Sequence, residues 1–194
     1  MVSVTKEMVV YCFDNLLAHF TGHIVPLPTF EEGHHPFFVT WKRVIGGEPT
    51  LRGCTGSLEP TSLHNGLKDC ALRSALLDGR FPAIEGAEIL NLECTVSILT
   101  DYEHAANYLD WEIGKHGLII EFTGPDNTRH VGTYLPEVGA EQGWTKTETI
   151  DSLMRKSGYM GRITESLRKG VRIIRYQISV YSMHYNDYAQ SYCP

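Results

Sequence analysis

Cys54 lies between two glycines in the stretch Leu51-Arg52-Gly53-Cys54-Thr55-Gly56, two residues after an arginine. This segment brings together a reactive side chain, a fixed cation and a bare backbone. In an extended strand residues two apart share a face, so Arg52 and Cys54 are expected to point the same way. A guanidinium on that face favours the thiolate. Gly53 and Gly56 would let a substrate carbonyl approach closely and would offer N–H donors to an oxyanion, with Thr55 between them. The chemistry implied is a nucleophilic or redox-responsive thiol. The same residues also describe a small buried strand cysteine whose glycines mark a bulge or tight packing. Both readings stand at this level.

A nucleophile needs a base, and His116 is the first candidate among nine histidines. It sits between Gly114 and Gly117 with Glu112 close enough to orient it; the competing reading is an exposed turn histidine. Asp78 and Arg80 place a carboxylate and a guanidinium around the end of an expected helix. They either pair with each other and satisfy terminal carbonyls, or hold an anionic ligand group bidentately. His34-His35 has no third ligand at defined spacing, so no metal site is expected, and no cofactor motif is present. Gly53-Cys54-Thr55-Gly56 matches the GxxG of KH loops in letters only, without the helix–loop–helix context. Arg155, Lys156, Arg162, Arg168, Lys169, Arg172 and Arg175 form the basic concentration where a phosphate-bearing partner could dock, against the bland reading of a solvated face.

These residues are positioned by elements that periodicity predicts. Apolar residues at Met8, Val9, Cys12, Phe13, Leu16, Leu17 and Phe20 fall on one helical face over residues 5–20. A proline-rich loop follows over 23–36. Alternation then predicts strands over 37–45 and 50–58 around the turn Gly46-Gly47. A helix starts at Ser62 with Thr61 or Ser62 as cap, and Gly79 is its expected stop. Further on, the pattern predicts a helical turn over 85–90 and a strand over 91–100. A hairpin spans 117–123 and 129–135, and a helix starts at Pro136. A further helix over 147–156 is capped by Thr147, and a long strand covers 171–183. Helices and hairpins alternate without a βαβ rhythm, which predicts an α+β fold.

At 194 residues, 42% of them hydrophobic, the chain suits one domain or two intimate lobes. The formal charge of −6 argues against non-specific nucleic-acid binding. Five scattered cysteines, Cys12, Cys54, Cys70, Cys94 and Cys193, form neither a disulfide framework nor a zinc knuckle and fit a reducing compartment. Lys6 and Glu7 interrupt any leader-like apolar run, and no uncharged stretch approaches membrane-spanning length. An intracellular, cytoplasmic or nuclear protein is expected.

Taken together, the segments resemble the AMMECR domain family. Its hallmark hexapeptide looks like Leu51-Arg52-Gly53-Cys54-Thr55-Gly56. Further similar motifs follow in order: Ser74-Ala75-Leu76-Leu77-Asp78-Gly79-Arg80-Phe81-Pro82, Asp110-Trp111-Glu112-Ile113-Gly114-Lys115-His116-Gly117, Thr133-Tyr134-Leu135-Pro136-Glu137-Val138 and Gln142-Gly143-Trp144. Thr55 stands where the family usually carries isoleucine, and Ala83 where a second proline is common. The resemblance covers about residues 12–188 and looks like the eukaryotic branch. It implies an α+β domain of two lobes sharing sheet structure, with the hexapeptide near a cleft between them, and it supplies no reaction. A similar prokaryotic domain is joined to a Memo-type domain, which implies a partner or shared pathway. Two functions follow as expectations. One is a binding module for a protein or small molecule, lined by Arg52, Gly53, Cys54, Thr55 and Gly56. The other is an enzyme using Cys54, aided by Arg52 and His116, on a small carbonyl or thioester-like substrate.

Overall fold

The helical periodicity near the N-terminus becomes α1, Lys6–Thr21, whose buried stripe includes Met8, Cys12, Phe13 and Leu16. The computed structural model describes residues 2–192, so Cys193 lies outside the described residues. The fold is α+β, as expected. It divides into two compact units, one running to Leu99 and resuming at Ser179, the other Thr100–Ile178.

In the first unit β1, His34–Ile45, pairs antiparallel with β2, Glu48–Ser62, across Gly46 and Gly47. Both turn glycines have positive φ, 62° and 86°, the backbone that a two-residue hairpin of matching twist requires. The strands are longer than alternation predicts. His34 and His35 pair with Ser62 and Thr61, so β1 begins inside the segment expected to be a loop. Pro36 is tolerated because it sits at a register shift, where its missing N–H leaves no ladder bond unmade.

The helix α2, Leu63–Leu76, starts at Ser62, whose side chain accepts from the Asn65 N–H. Gly79 is not its stop. Leu77 closes the helix with its N–H on the Arg73 carbonyl, and the chain then turns through Asp78, which accepts from the Phe81 N–H. A 3₁₀ turn, Gly86–Asn91, leads into β3, Leu92–His104. The sheet order in this unit is β2-β1-β3 followed by the end of β6, Arg172–His184, and α6, Tyr185–Tyr192, closes the chain.

The core between α1, α2 and the sheet holds Phe13, Phe37, Trp41, Leu67 and Cys94, all without exposure. Trp41 anchors it: its Nε1–H donates to the Ala71 carbonyl at 3.0 Å, and Phe13 meets it edge-on at 5.1 Å. Opposite Trp41 on β2 stands Gly53. A Cβ at Gly53 would lie 1.7 Å from the Ser74 carbonyl oxygen, so β2 meets the backbone of α2 with no room for a side chain.

The second unit is built on β6-β4-β5, where β4 is Gly117–Thr123 and β5 is Arg129–Tyr134. Its core packs Leu118, Ile120 and Phe122 against Ile150, Leu153 and Met154. Three helices follow β5: α3, Glu137–Glu141, α4, Lys146–Lys156, and α5, Glu165–Lys169. The cap of α4 is Thr145 rather than Thr147, because Thr145 and Glu148 exchange side-chain and backbone hydrogen bonds as a capping box.

Gly53→Ala should lower unfolding stability by roughly 3 kcal/mol, the cost of overpacking a contact whose neighbour is backbone. Gly79→Ala meets nothing within 4 Å and should change it by less than about 0.5 kcal/mol. Urea melts of the two variants check this, and equal midpoints would contradict it.

Candidate functional site

Between Trp41 and Lys42 the hairpin register slips, so that Gly53 faces Trp41 and Leu51 faces Lys42. Arg52 is the extra residue of a β-bulge, and a bulge interrupts the alternation that would set it beside Cys54. Its side chain is 10% exposed and grips Glu88 bidentately, Nε to Oε1 and Nη2 to Oε2, both at 2.9 Å. Nη1 donates to the Pro82 carbonyl at 3.1 Å. Glu88 also receives Arg43 Nη1 at 3.4 Å and the Glu85 N–H at 2.9 Å. Hydrogen bonding to Arg52 is the main reason the Glu88 carboxyl is held below the usual range.

Arg43 alternates with Trp41 on β1, whereas Cys54 opposes Thr40, whose hydroxyl donates to the sulfur at 3.2 Å. Arg52 and Cys54 therefore address opposite faces of the hairpin, and the expected shared face is corrected by the bulge. The guanidinium accompanying the thiol belongs to Arg80. The Cys54 N–H donates to Asp78 Oδ2 at 3.0 Å, and Asp78 holds Arg80 through Nε at 3.0 Å and Nη2 at 2.8 Å. These bonds, that from Arg80 foremost, keep the Asp78 carboxyl well below the carboxylate range. The Arg80 pKa is raised first by hydrogen bonding to Asp78, with the Cys54 charge a smaller contribution. The Asp78 side chain is 8% exposed and that of Arg80 58%. Cys54, Asp78 and Arg80 thus form one cluster beside β2, an edge strand, with Asp78 and Arg80 supplied by the turn after α2.

The glycines of the hexapeptide are accounted for by packing. Gly53 admits the α2 backbone, and a Cβ at Gly56 would lie 2.1 Å from the Phe37 carbonyl oxygen. Thr55 faces Val39 in the ladder. Cys70 on α2 is a different kind of thiol, pushed up to about 11 by burial. The GxxG letters lie within a strand.

His116 and Glu112 belong to the second unit. His116 is 6% exposed, which replaces the exposed-turn alternative. Its Nδ1 accepts the Glu112 backbone N–H at 2.9 Å, while the Glu112 carboxylate pairs with Lys115 at 2.9 Å. The ring lone pair is therefore engaged, and the carboxylate does not orient the imidazole. Burial, then the charges of Lys115 and Arg175, lower the His116 pKa. The basic concentration is largely absorbed internally. Arg168 is bidentate on Asp151 at 2.7 Å, Arg175 reaches Glu103 and Asp110, and Arg155 holds two carbonyls. Among the described residues no three His, Cys, Asp or Glu are grouped to hold a metal, and no helix is long and apolar enough to cross a membrane.

Sequence reasoning passed over Glu88 and Thr40. The spacing of Glu85 and Glu88, which form a capping box on the 3₁₀ turn, was a usable signal for Glu88. Thr40 had none, because its place opposite Cys54 depends on the bulge.

Arg52→Ala leaves Glu88 without its main partner and should destabilise the fold by roughly 3 kcal/mol; pairing it with Glu88→Gln should recover part of that loss in a double-mutant cycle. Folding favours the neutral His116 ring, so its contribution to stability is present above the ordinary value of 6.5 and is lost as the pH falls below it. NMR titration of the His116 ring protons should show an inflection below 6.5; one at or above that value contradicts the effect of burial.

The AMMECR1 family model matches residues 9–181. An uncharacterised protein of Arabidopsis thaliana is 58% identical over 97% of this chain and 89% of its own. Another, from Kluyveromyces lactis, is 38% identical over 76% of this chain and 71% of its own. The crystal structure of an uncharacterised Pyrococcus horikoshii protein superposes with a TM-score of 0.70 at 25% identity, covering 92% of this chain and 90% of that one. With a family model spanning nearly the whole chain and relatives of this similarity, the chain belongs to the AMMECR1 family.

Proposed function

We propose that the protein is a ligand-binding module, its 194 residues forming one domain of this family, that recognises an acidic peptide segment at Arg80 beside β2. One observation carries the reading. Asp78 uses both carboxylate oxygens to fix a guanidinium that is 58% exposed, and the same carboxylate caps the Cys54 N–H on the sheet edge. A cation held rigid by an internal partner loses little entropy when a second carboxylate docks on it, and the planar fork favours bidentate capture. Arg52, with its fork closed on Glu88, anchors the loop rather than a ligand. Gly53, Thr55 and Gly56 shape the strand on which the partner lies.

The second reading is a thiol enzyme in which Cys54 attacks a small carbonyl or thioester-like substrate. It rests on the Thr40 hydroxyl at the sulfur and on Arg80 nearby. The engaged Nδ1 of His116 weighs against an imidazole base and makes binding the stronger proposal.

Titration of the protein with an acetylated tri-glutamate peptide, against its tri-glutamine analogue, tests the module. Saturable shifts of the Arg80 Nε–H and Cys54 N–H are expected with the acidic peptide only, weakening as salt is raised. Arg80→Ala should abolish them at unchanged melting temperature, and Cys54→Ser should leave them intact. Equal binding by Arg80→Ala and the parent protein would reject the proposal, and loss of binding in Cys54→Ser would favour the thiol reading.

A further inference from the structure

The second unit contains a cavity of about 870 Å³. That volume lies within the roughly 300–1,000 Å³ range of small-molecule sites. Phe122, His130 and Tyr159 line it, together with the exposed residues Asp126, Met160 and Arg162. The three rings lock one another: His130 stacks on Phe122 at 5.0 Å, and Tyr159 stands edge-on to both, at 5.4 and 5.5 Å.

The wall over Tyr159 to Arg162 is preformed. Arg155 Nη1 donates to the carbonyls of Tyr159 and Gly161 at 2.8 and 2.6 Å, and the Tyr159 hydroxyl donates to the Arg162 carbonyl at 3.2 Å. A Cβ at Gly161 would stand 2.5 Å from that hydroxyl, so the glycine is what lets the segment close on the ring.

Among the described residues lining the cavity, one buried side-chain polar atom lacks a hydrogen-bond partner. His130 is 8% exposed, and its Nδ1 lies 3.1 Å from the Ser157 carbonyl. A carbonyl only accepts, so Nδ1 carries the hydrogen and Nε2 of the neutral ring carries the lone pair. That Nε2 is buried and has no hydrogen-bond partner among the described residues. An unmet buried acceptor is costly, and a donor supplied from the cavity would remove the cost. Arg162 is exposed on the rim, and among the described residues no carboxylate pairs with its guanidinium.

We propose that this cavity binds a small aromatic acid bearing a hydroxyl or N–H donor. The ring lies against Tyr159 and Met160, the carboxylate meets Arg162, and the donor reaches His130 Nε2 as the backbone at Gly124, where a Cβ would lie 3.5 Å from that nitrogen, gives way. The site lies within the second unit and is independent of the Arg80 surface.

The test is an amide-shift titration of the full chain with 4-hydroxyphenylacetate and, separately, with phenylacetate. Both probes should produce saturable shifts in residues 123–130 and 158–162, with the hydroxylated probe binding about tenfold more tightly, as one hydrogen bond to a buried acceptor implies. His130→Phe should bring the two affinities together. Should that core variant fail to fold, Arg162→Ala on the exposed rim should weaken both probes alike at unchanged melting temperature. Absence of saturable shifts in these segments, equal affinity for the two probes, or indifference to Arg162→Ala would overturn the proposal.

Discussion

Gly53 lies directly beneath the Ser74 carbonyl, and the arrangement around Cys54 follows from that backbone contact. A strand and a helix that meet through a glycine come closer than side chains would allow, so the end of α2 is delivered against the edge of β2. The next residues of the chain then fall where they are needed. Asp78 reaches the Cys54 N–H, and Arg80 folds back onto Asp78. Pro82 and Glu88 come within reach of Arg52. Trp41 supports the contact from β1 by holding the Ala71 carbonyl one turn earlier in α2.

Two arginine–carboxylate pairs meet in this region, and exposure separates their roles. Arg52 and Glu88 are mostly out of water, and Glu88 is shared with Arg43 and the Glu85 N–H. A buried pair of this kind adds little or no net stability over a well-packed apolar substitute, yet losing one partner strands a charge, so it specifies the conformation of the loop it closes. Arg80 and Asp78 invert the balance, with the carboxylate covered and the guanidinium open. Solvent screens the attraction between them, but orientation survives screening, and orientation is what a recognition site needs. The second unit has its own core around Ile120, Ile150 and Leu153 and its own cavity beside it.

Much of the fold was legible because its signals are local. The apolar stripe of α1, the two positive-φ glycines of the first hairpin, the Ser62 cap and the Gly124 to Asn127 loop are each written within a few residues. Local signals also compete: Thr145 and Thr147 both suit the cap of α4, and Gly79 has the residue type of a helix stop that Leu77 provides. The candidate site was legible only as a set of residues. Cys54, Asp78 and Arg80 do converge, but the partnership proposed for Arg52 and Cys54 does not form.

The sequence by itself determined most of the elements, though not α5 or α6, together with the hairpin turn and the family to which the chain belongs. The tertiary structure decided which side chains face one another. Counted back from Gly46 and Gly47, an unbroken register sets Val39 opposite Cys54, whereas the bulge at Arg52 moves Thr40 there instead. The hexapeptide glycines permit a bulge, but nothing local fixes it at Arg52. It is held by Arg52 reaching a carboxylate on a distant loop and by Gly53 seating under α2, contacts between residues far apart in the chain. The burial of His116 and the unmet nitrogen of His130 have the same origin, because burial is conferred by neighbours that only folding supplies.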